Sequence, residues 1–264
     1  MGLVQKAKCM GRQFYHIYTV RYDECNTDGV LTPTAFLRYM QDVAALDAED
    51  AQLGGKGYWV VKRTSIAFAA PVPVHTKLEL KTFGMRFTRI TAQRGYDAYF
   101  VGEGEKPIIS ASTLWVYVDA HGRPMRLPEE TAHIWLPDGP LPQQPEPPFP
   151  MMPETMPEIA PLVVRYSDID LMRHLNNASA VEMLDDASWQ IYAQTGILPD
   201  TATFDVLSYE IEYVDSPRFG QQLEIQSWLE PLPSVGQECS RYQQITNEGK
   251  VMVRAFSRWL YKNH

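Results

Sequence analysis

The chemically densest stretch of the chain is SDIDLMRHLNN, Ser167 to Asn177, which gathers Asp168, Asp170, His174, Asn176 and Asn177. An aspartate and a histidine this close can orient and deprotonate a water, and imidazole suits general-base work near neutral pH. Aspartate and asparagine also favour caps and tight turns, so turn chemistry accounts for any one of these residues taken singly. Position separates the two readings. The stretch joins a strand to a helix, and a helix start offers unpaired N–H groups able to hold a developing oxyanion. An aspartate of this stretch, Asp168 or Asp170, together with His174 is therefore a candidate catalytic pair. Asn176 and Asn177 are supporting or turn-closing residues, with Asn177 expected to cap the helix. His174 has no second His or Cys beside it, so neither a metal nor another cofactor is expected.

The elements that must position this stretch come in duplicate. Val20-Arg21-Tyr22 matches Val164-Arg165-Tyr166, Met40-Gln41-Asp42 matches Leu184-Asp185-Asp186, and Ile66-x-Phe68 matches Ile211-x-Tyr213. LELKTF at Leu78 matches LEIQSW at Leu223, and Trp115-Val116-Tyr117 matches Trp259-Leu260-Tyr261. The order is kept at an almost constant offset, which reads as gene duplication. Each copy begins with a short strand and a turn. In the first, Thr32 and Pro33 open a helix expected to reach about Leu53; in the second, the helix is expected to end near Thr195, before Gly196. Small residues (Ala44, Ala48 and Ala51; Ala180 and Ala187) would let a sheet wrap closely around each helix. Four strand-like stretches follow each helix, several with period-two alternation such as Leu223, Ile225 and Ser227, as in antiparallel strands with one face on a core. The order is that of an α+β tandem double hotdog, each repeat a curved antiparallel sheet around one long helix. The first copy, YDECNTDGVLTP, has Val30 where the second has His174.

Ten of the 20 prolines lie between Pro137 and Pro161, a composition that favours an extended, semi-stiff connection. The expected division is a first repeat over 1–135, a linker over 136–161 and a second repeat over 162–264.

These features resemble the acyl-ACP thioesterases of plants and bacteria, which are tandem double-hotdog proteins. The resemblance runs from MQDVAALDAEDAQLGG and WVVKR through WVYVDAHGRPMRLPEE to RYSDIDLMRHLNN. It implies hydrolysis of the thioester between a fatty acyl chain and the phosphopantetheine arm of acyl carrier protein, with release of free fatty acid. It also implies that the second repeat carries catalysis through Asp170 and His174, while the first shapes the acyl pocket. Two positions depart from the family pattern: Met172 stands where plant members have Asn, and Ser216 where they have Glu. Asp215 and Glu212 are the carboxylates that could substitute. An acyl-CoA thioesterase, or a catalytically impaired acyl-ACP-binding protein, is the alternative.

Composition narrows the remaining choices. At 45% hydrophobic and 21% charged the chain has material for a sizeable core. Its longest apolar run is too short to span a membrane, and the N-terminus lacks a secretory signal pattern, so a cytoplasmic location is expected. Cys9, Cys25 and Cys239 are too scattered for a disulfide framework or zinc site, and a cysteine nucleophile is not expected. The net charge of −8 and the lack of a basic run argue against nucleic acid. Lys62, Arg63, Arg86, Arg89 and Arg94 form a candidate docking patch for the acidic carrier, a solvated face being the plain alternative. Because duplication places two hotdog units in one chain, a monomer is feasible, with a homodimer also open. Trp59, Trp115, Trp189, Trp228 and Trp259 are read as core.

Overall fold

The computed structural model describes residues 11–104, 106–139, 147–229 and 233–263. Cys9 and part of the proline-rich connection lie outside them. The first copy comprises β1 (Gln13–Thr19), a 3-10 turn at Tyr22–Glu24, α1 (Pro33–Asp50), β2 (Tyr58–Phe68), β3 (Lys77–Phe87), β4 (Thr91–Phe100) and β5 (Ile109–Val118). A short helix, α2 (Glu130–Trp135), comes next. The second copy comprises β6 (Glu158–Val163), a 3-10 turn at Tyr166–Asp168, α3 (Asn177–Gln194), β7 (Ala202–Tyr213), β8 (Gln222–Trp228), β9 (Glu238–Asn247) and β10 (Lys250–Asn263). All ten strands join one sheet in the order β1-β3-β4-β5-β2-β7-β10-β9-β8-β6. The architecture is the double hotdog expected from the repeat. Its halves meet where β2 pairs antiparallel with β7, Thr64 opposite Ile211 and Ile66 opposite Tyr209.

Alternation explains which faces are buried. Leu78 and Leu80 on β3 and Leu223 and Ile225 on β8 are each no more than 4% exposed and belong to one continuous core with Phe36, Val43, Val181 and Leu184 of the two long helices. Ala180 and Ala187 are buried on α3, where small side chains let the sheet approach. The helices also touch each other: Arg38 of α1 donates to Glu182 of α3, a pair 144 residues apart and so close to the repeat offset. Trp228 and Trp259 are buried, Trp115 and Trp189 pack against the core, and Trp59 lies against Tyr117.

Local departures have local causes. α1 stops at Asp50 and not near Leu53, because Gln52 turns left-handed at φ 51° and the Leu53 N–H returns to the Ala48 carbonyl. The last residues of the proline-rich stretch are strand: Pro161 sits opposite Glu224 at the sheet edge, the place in a sheet where a missing N–H is tolerated. α2 was not expected. It brings Trp135, 2% exposed, to donate its indole N–H to Asp47 Oδ2 at 2.6 Å.

Candidate active site

The two copies fold the turn before the long helix in the same way, and the comparison isolates what is special about the second. In each, a 3-10 turn is locked by an acid that accepts the backbone N–H three residues earlier: Glu24 from Arg21 at 2.8 Å and Asp168 from Arg165 at 2.7 Å. Asp168 is buried and also held by the Arg165 guanidinium. Burial works against its ionisation, but the Arg165 side-chain and backbone hydrogen bonds outweigh it and hold its pKa below the usual carboxylate range. Asp168 is thus a structural residue of the turn.

A five-residue loop follows in each copy. The Asn26 N–H donates to the Val30 carbonyl at 2.8 Å, and the Asp170 N–H to the His174 carbonyl at 2.9 Å. Asn26 Oδ1 accepts the Asp28 N–H, as Asp170 Oδ1 accepts the Met172 N–H at 2.8 Å. The left-handed position is Gly29 at φ 70° in one loop and Arg173 at φ 62° in the other. A non-glycine residue there is strained, and such strain clusters at functional sites. Cys25 bridges Leu31, as Ile169 bridges Leu175, so Asp170 and His174 stand opposite each other. Directly opposed residues share a face. Among the described residues, the His174 ring and the second Asp170 oxygen have no hydrogen-bond partner, whereas Val30 and Asn26 offer neither a base nor a carboxylate.

The helix start differs too. The cap of α3 is Asn176 and not Asn177: Asn176 has extended backbone, and its Oδ1 accepts the Ala178 and Ser179 N–H groups at 2.9 and 3.4 Å. A cap must lie one residue before the first helical turn to reach those amides, and the alignment with Thr32, which caps α1, marks the same position. The Ala180 N–H goes to the Asn176 carbonyl. That leaves the N–H of Asn177 as the amide at this helix start without a partner among the described residues. Several free amides were expected there; one remains. In the first copy the equivalent residue is Pro33, which has no N–H at all.

A narrow pocket opens beside Asn177. Tyr213 of β7, Gln41 and Met40 of α1, and Tyr96, Thr113 and Trp115 of the first sheet are among the side chains that line it. Gln41 is a residue that sequence reasoning missed: its Oε1 lies 3.4 Å from Nδ2 of Asn176, tying the first helix to the cap of the second. Its alignment with Asp185 marks a polar position on that helix, but only the packing of α1 on α3 shows the contact. Burial pushes the Tyr96 phenol up to about 12 and raises Tyr213, so both remain hydrogen-bond donors at neutral pH. Asp170 and His174 do not line this pocket; they stand on the loop that leads into the helix above it.

The other expected residues are distributed as follows. Met172 is exposed, and its N–H is taken by Asp170. Ser216 lies beside the loop, because the next residue, Pro217, accepts the Leu175 N–H at 2.7 Å. Neither substitute carboxylate is free: Asp215 pairs with Lys250 at 2.5 Å, and Glu212 with Arg254. Glu212 also alternates with the core-facing Ile211 and Tyr213, which puts it on the outer face of β7. The five basic residues do not form one patch. Arg94 reaches inward to the buried Asp47 at 2.5 Å and Arg63 is held by Glu210 at 3.0 Å, while Lys62, Arg86 and Arg89 are exposed. Of these three, Lys62 is next to the site loop, donating to the Val214 carbonyl at 3.4 Å. Cys239 is buried on β9, and burial, with Glu24 nearby, pushes the Cys25 thiol up, away from nucleophile character. No cluster of three or more His, Cys, Asp or Glu able to hold a metal occurs among the described residues, and no helix there is long and apolar enough to cross a membrane.

Comparison with known proteins places this arrangement. Residues 164–263 match the thioesterase-like superfamily, and residues 11–135 match the acyl-ACP thioesterase N-terminal domain. A Lactobacillus plantarum protein described as an oleoyl thioesterase superposes with a TM-score of 0.80 at 17% identity, over 97% of this chain and 98% of that one. An acyl-ACP thioesterase from Bacteroides thetaiotaomicron gives 0.73 at 18% identity, over 94% and 97%. The 12:0-ACP thioesterase from Umbellularia californica gives 0.78 at 16% identity, over 95% and 94%. At these identities the superpositions speak for the fold. No curated protein matches the chain in sequence. Fold and family matches together define a double-hotdog thioester hydrolase. Within that class, residues 11–135 are those of an acyl-ACP thioesterase N-terminal domain, and the matches together support hydrolysis of fatty acyl-ACP.

Proposed function

We propose that acyl-ACP hydrolysis takes place at the loop Ile169–Leu175 and the start of α3, with the first repeat shaping the site for the acyl chain. The observation that carries this reading is the contrast between two loops of one backbone shape. The second has a carboxylate, an imidazole and a free helix-start amide where the first has Asn26, Val30 and Pro33. Asp170, fixed through Oδ1 by the Met172 amide, uses its other oxygen to orient the imidazole or the water. His174 takes a proton from that water as it adds to the thioester carbonyl carbon. Negative charge gathers on the carbonyl oxygen, where the Asn177 N–H meets it. Collapse of the tetrahedral intermediate breaks the C–S bond, and His174 returns the proton to the departing thiolate, giving a fatty acid and the free phosphopantetheine thiol. No covalent enzyme intermediate is required. Exposed Lys62 supports docking of the acidic carrier next to this loop.

The test is thiol release from acyl-ACPs of graded chain length, with the acyl-CoA of each length alongside. Hydrolysis with a length optimum and a preference for the carrier substrate is expected. Preference for acyl-CoA would move the reading to that substrate class, and tight acyl-ACP binding by folded protein with no release would move it to an impaired binder.

A further inference from the structure

The Asn177 N–H is a single donor, and the other amides at the start of α3 are taken. Asn176 Oδ1 accepts from Ala178 and Ser179, and the Asn176 carbonyl accepts from Ala180. A carbonyl oxygen has two lone pairs, so it can accept a second donor as charge builds on it. That donor has to come from another element. Gln41 of α1, half-buried, shares with Asn177 the wall of a cavity of about 10 Å³, the space of one water-sized oxygen. A cavity this small sets both residues around one atom.

Chemistry decides which way the Gln41 amide points. Asn176 uses its Oδ1 on the helix amides, so its Nδ2 is the end that faces Gln41. Gln41 answers with an acceptor, Oε1, 3.4 Å from that nitrogen. Its Nε2 is thereby turned away from Asn176, a donor with no partner among the described residues. The repeat supplies a comparison. Asp185 of α3, the counterpart of Gln41, is acceptor-only when ionised; its Oδ1 accepts from Tyr209 at 2.6 Å and lies 3.4 Å from Arg241. The first copy's helix start has Pro33, without an N–H, where Asn177 stands in the second. Side-chain donor and backbone donor thus occur together at one helix start and are both missing at the other.

Resting on the site proposed above, we infer that Gln41 is a further catalytic residue: its Nε2–H and the Asn177 N–H both donate to the thioester carbonyl oxygen as it becomes negative, one donor from each repeat. Gln41 keeps its protons throughout and forms no bond to the substrate beyond the hydrogen bond. The first repeat then supplies chemistry, and the site is complete only where α1 packs on α3.

The experiment measures kcat and KM for thiol release from acyl-ACP, or from acyl-CoA where that is the substrate. It compares the wild-type protein with Gln41→Met, Gln41→Glu and Asn176→Thr, alongside His174→Ala and Asn177→Pro. Gln41→Met keeps the shape and removes the donor; kcat should fall by about 10²-fold or more with KM nearly unchanged, because the ground-state carbonyl gains little from the bond. Gln41→Glu keeps the acceptor for Asn176 without the donor and should lose at least as much. Asn176→Thr still caps the helix, as Thr32 does on α1, while removing the group that Gln41 contacts, and its loss should stay below about tenfold. Gln41 variants within about threefold of the wild-type kcat would overturn the inference. A loss in Asn176→Thr equal to that in Gln41→Met would also overturn it, reducing Gln41 to a brace for the cap. If His174→Ala and Asn177→Pro remain fully active, or the wild type releases thiol from neither substrate, the site reading fails and the inference with it. If those two variants lose turnover and the Gln41 variants do not, the inference alone fails.

Discussion

At the scale of single residues, the second loop and helix start differ from the first by three chemical groups: a carboxylate, an imidazole and a free amide. Asp170 keeps the turn-forming role that Asn26 has, so its oxygen bonded to Met172 is structural and the other is available. His174 makes no side-chain hydrogen bond among the described residues, so its loss leaves no buried partner stranded. His174→Ala should lower kcat by about 10²- to 10⁴-fold, the usual range for a general base, with Tm nearly unchanged; undiminished turnover would remove it from the mechanism. Asn177→Pro is a sharper test. Proline is favoured at the first helical position, Asn176 already has the extended backbone that precedes proline, and the first copy carries Pro33 there. The helix should form normally while kcat falls by about 10²- to 10³-fold through loss of the oxyanion donor. Asn177→Ala, which keeps the amide, should retain most of the rate, and equal losses in both variants would assign the effect to the side chain.

At the scale of elements, the 3-10 turn and the cap hold the loop in place. Asp168→Asn weakens charge-assisted hydrogen bonds to a nearly buried carboxylate, a loss of about 1.5–3 kcal/mol measurable by urea denaturation. The pH dependence carries a sign. Asp168 has a folded-state pKa below its unfolded value, so its stabilisation is present above about pH 4, the unfolded carboxylate range, and is lost as pH falls through the lower folded value. The variant should therefore lose less stability than the wild-type protein on acidification below about pH 4. A parallel acid limb in the two proteins would show that Asp168 is not linked to folding.

At the scale of the molecule, the first repeat is closed around its helix by a charge and not by apolar packing alone. Asp47 of α1 is fully buried and accepts from Arg12, from Arg94 on β4 and from Trp135 on α2. Asp47→Ala would leave the Arg94 cation inside without its counter-ion and should cost about 3–5 kcal/mol. Chemical denaturation would register the loss, and since Asp47 lies away from the loop before α3, protein that remains folded should keep its kcat. A drop in kcat at full folding would instead link this network to the pocket, whose Tyr96 lies two residues from Arg94.

Much of this was legible in the linear order of residues. Period-two alternation, Thr32-Pro33 before one helix, Gly196 after the other and the recurrence at an offset of 144 or 145 are local signals, and they determine the strand and helix order of a double hotdog because each element must bury one face. The same recurrence singles out His174 by contrast with Val30. What required the tertiary structure was the set of partners. Arg63 and Arg94 resemble surface cations in the sequence, yet their carboxylates lie 147 and 47 residues away. Gln41 meets Asn176 across the two helices, a contact that exists only once α1 has packed on α3. Local patterning decides which way a side chain faces; which charge, cap or cavity it then meets is decided by chain segments far away in sequence.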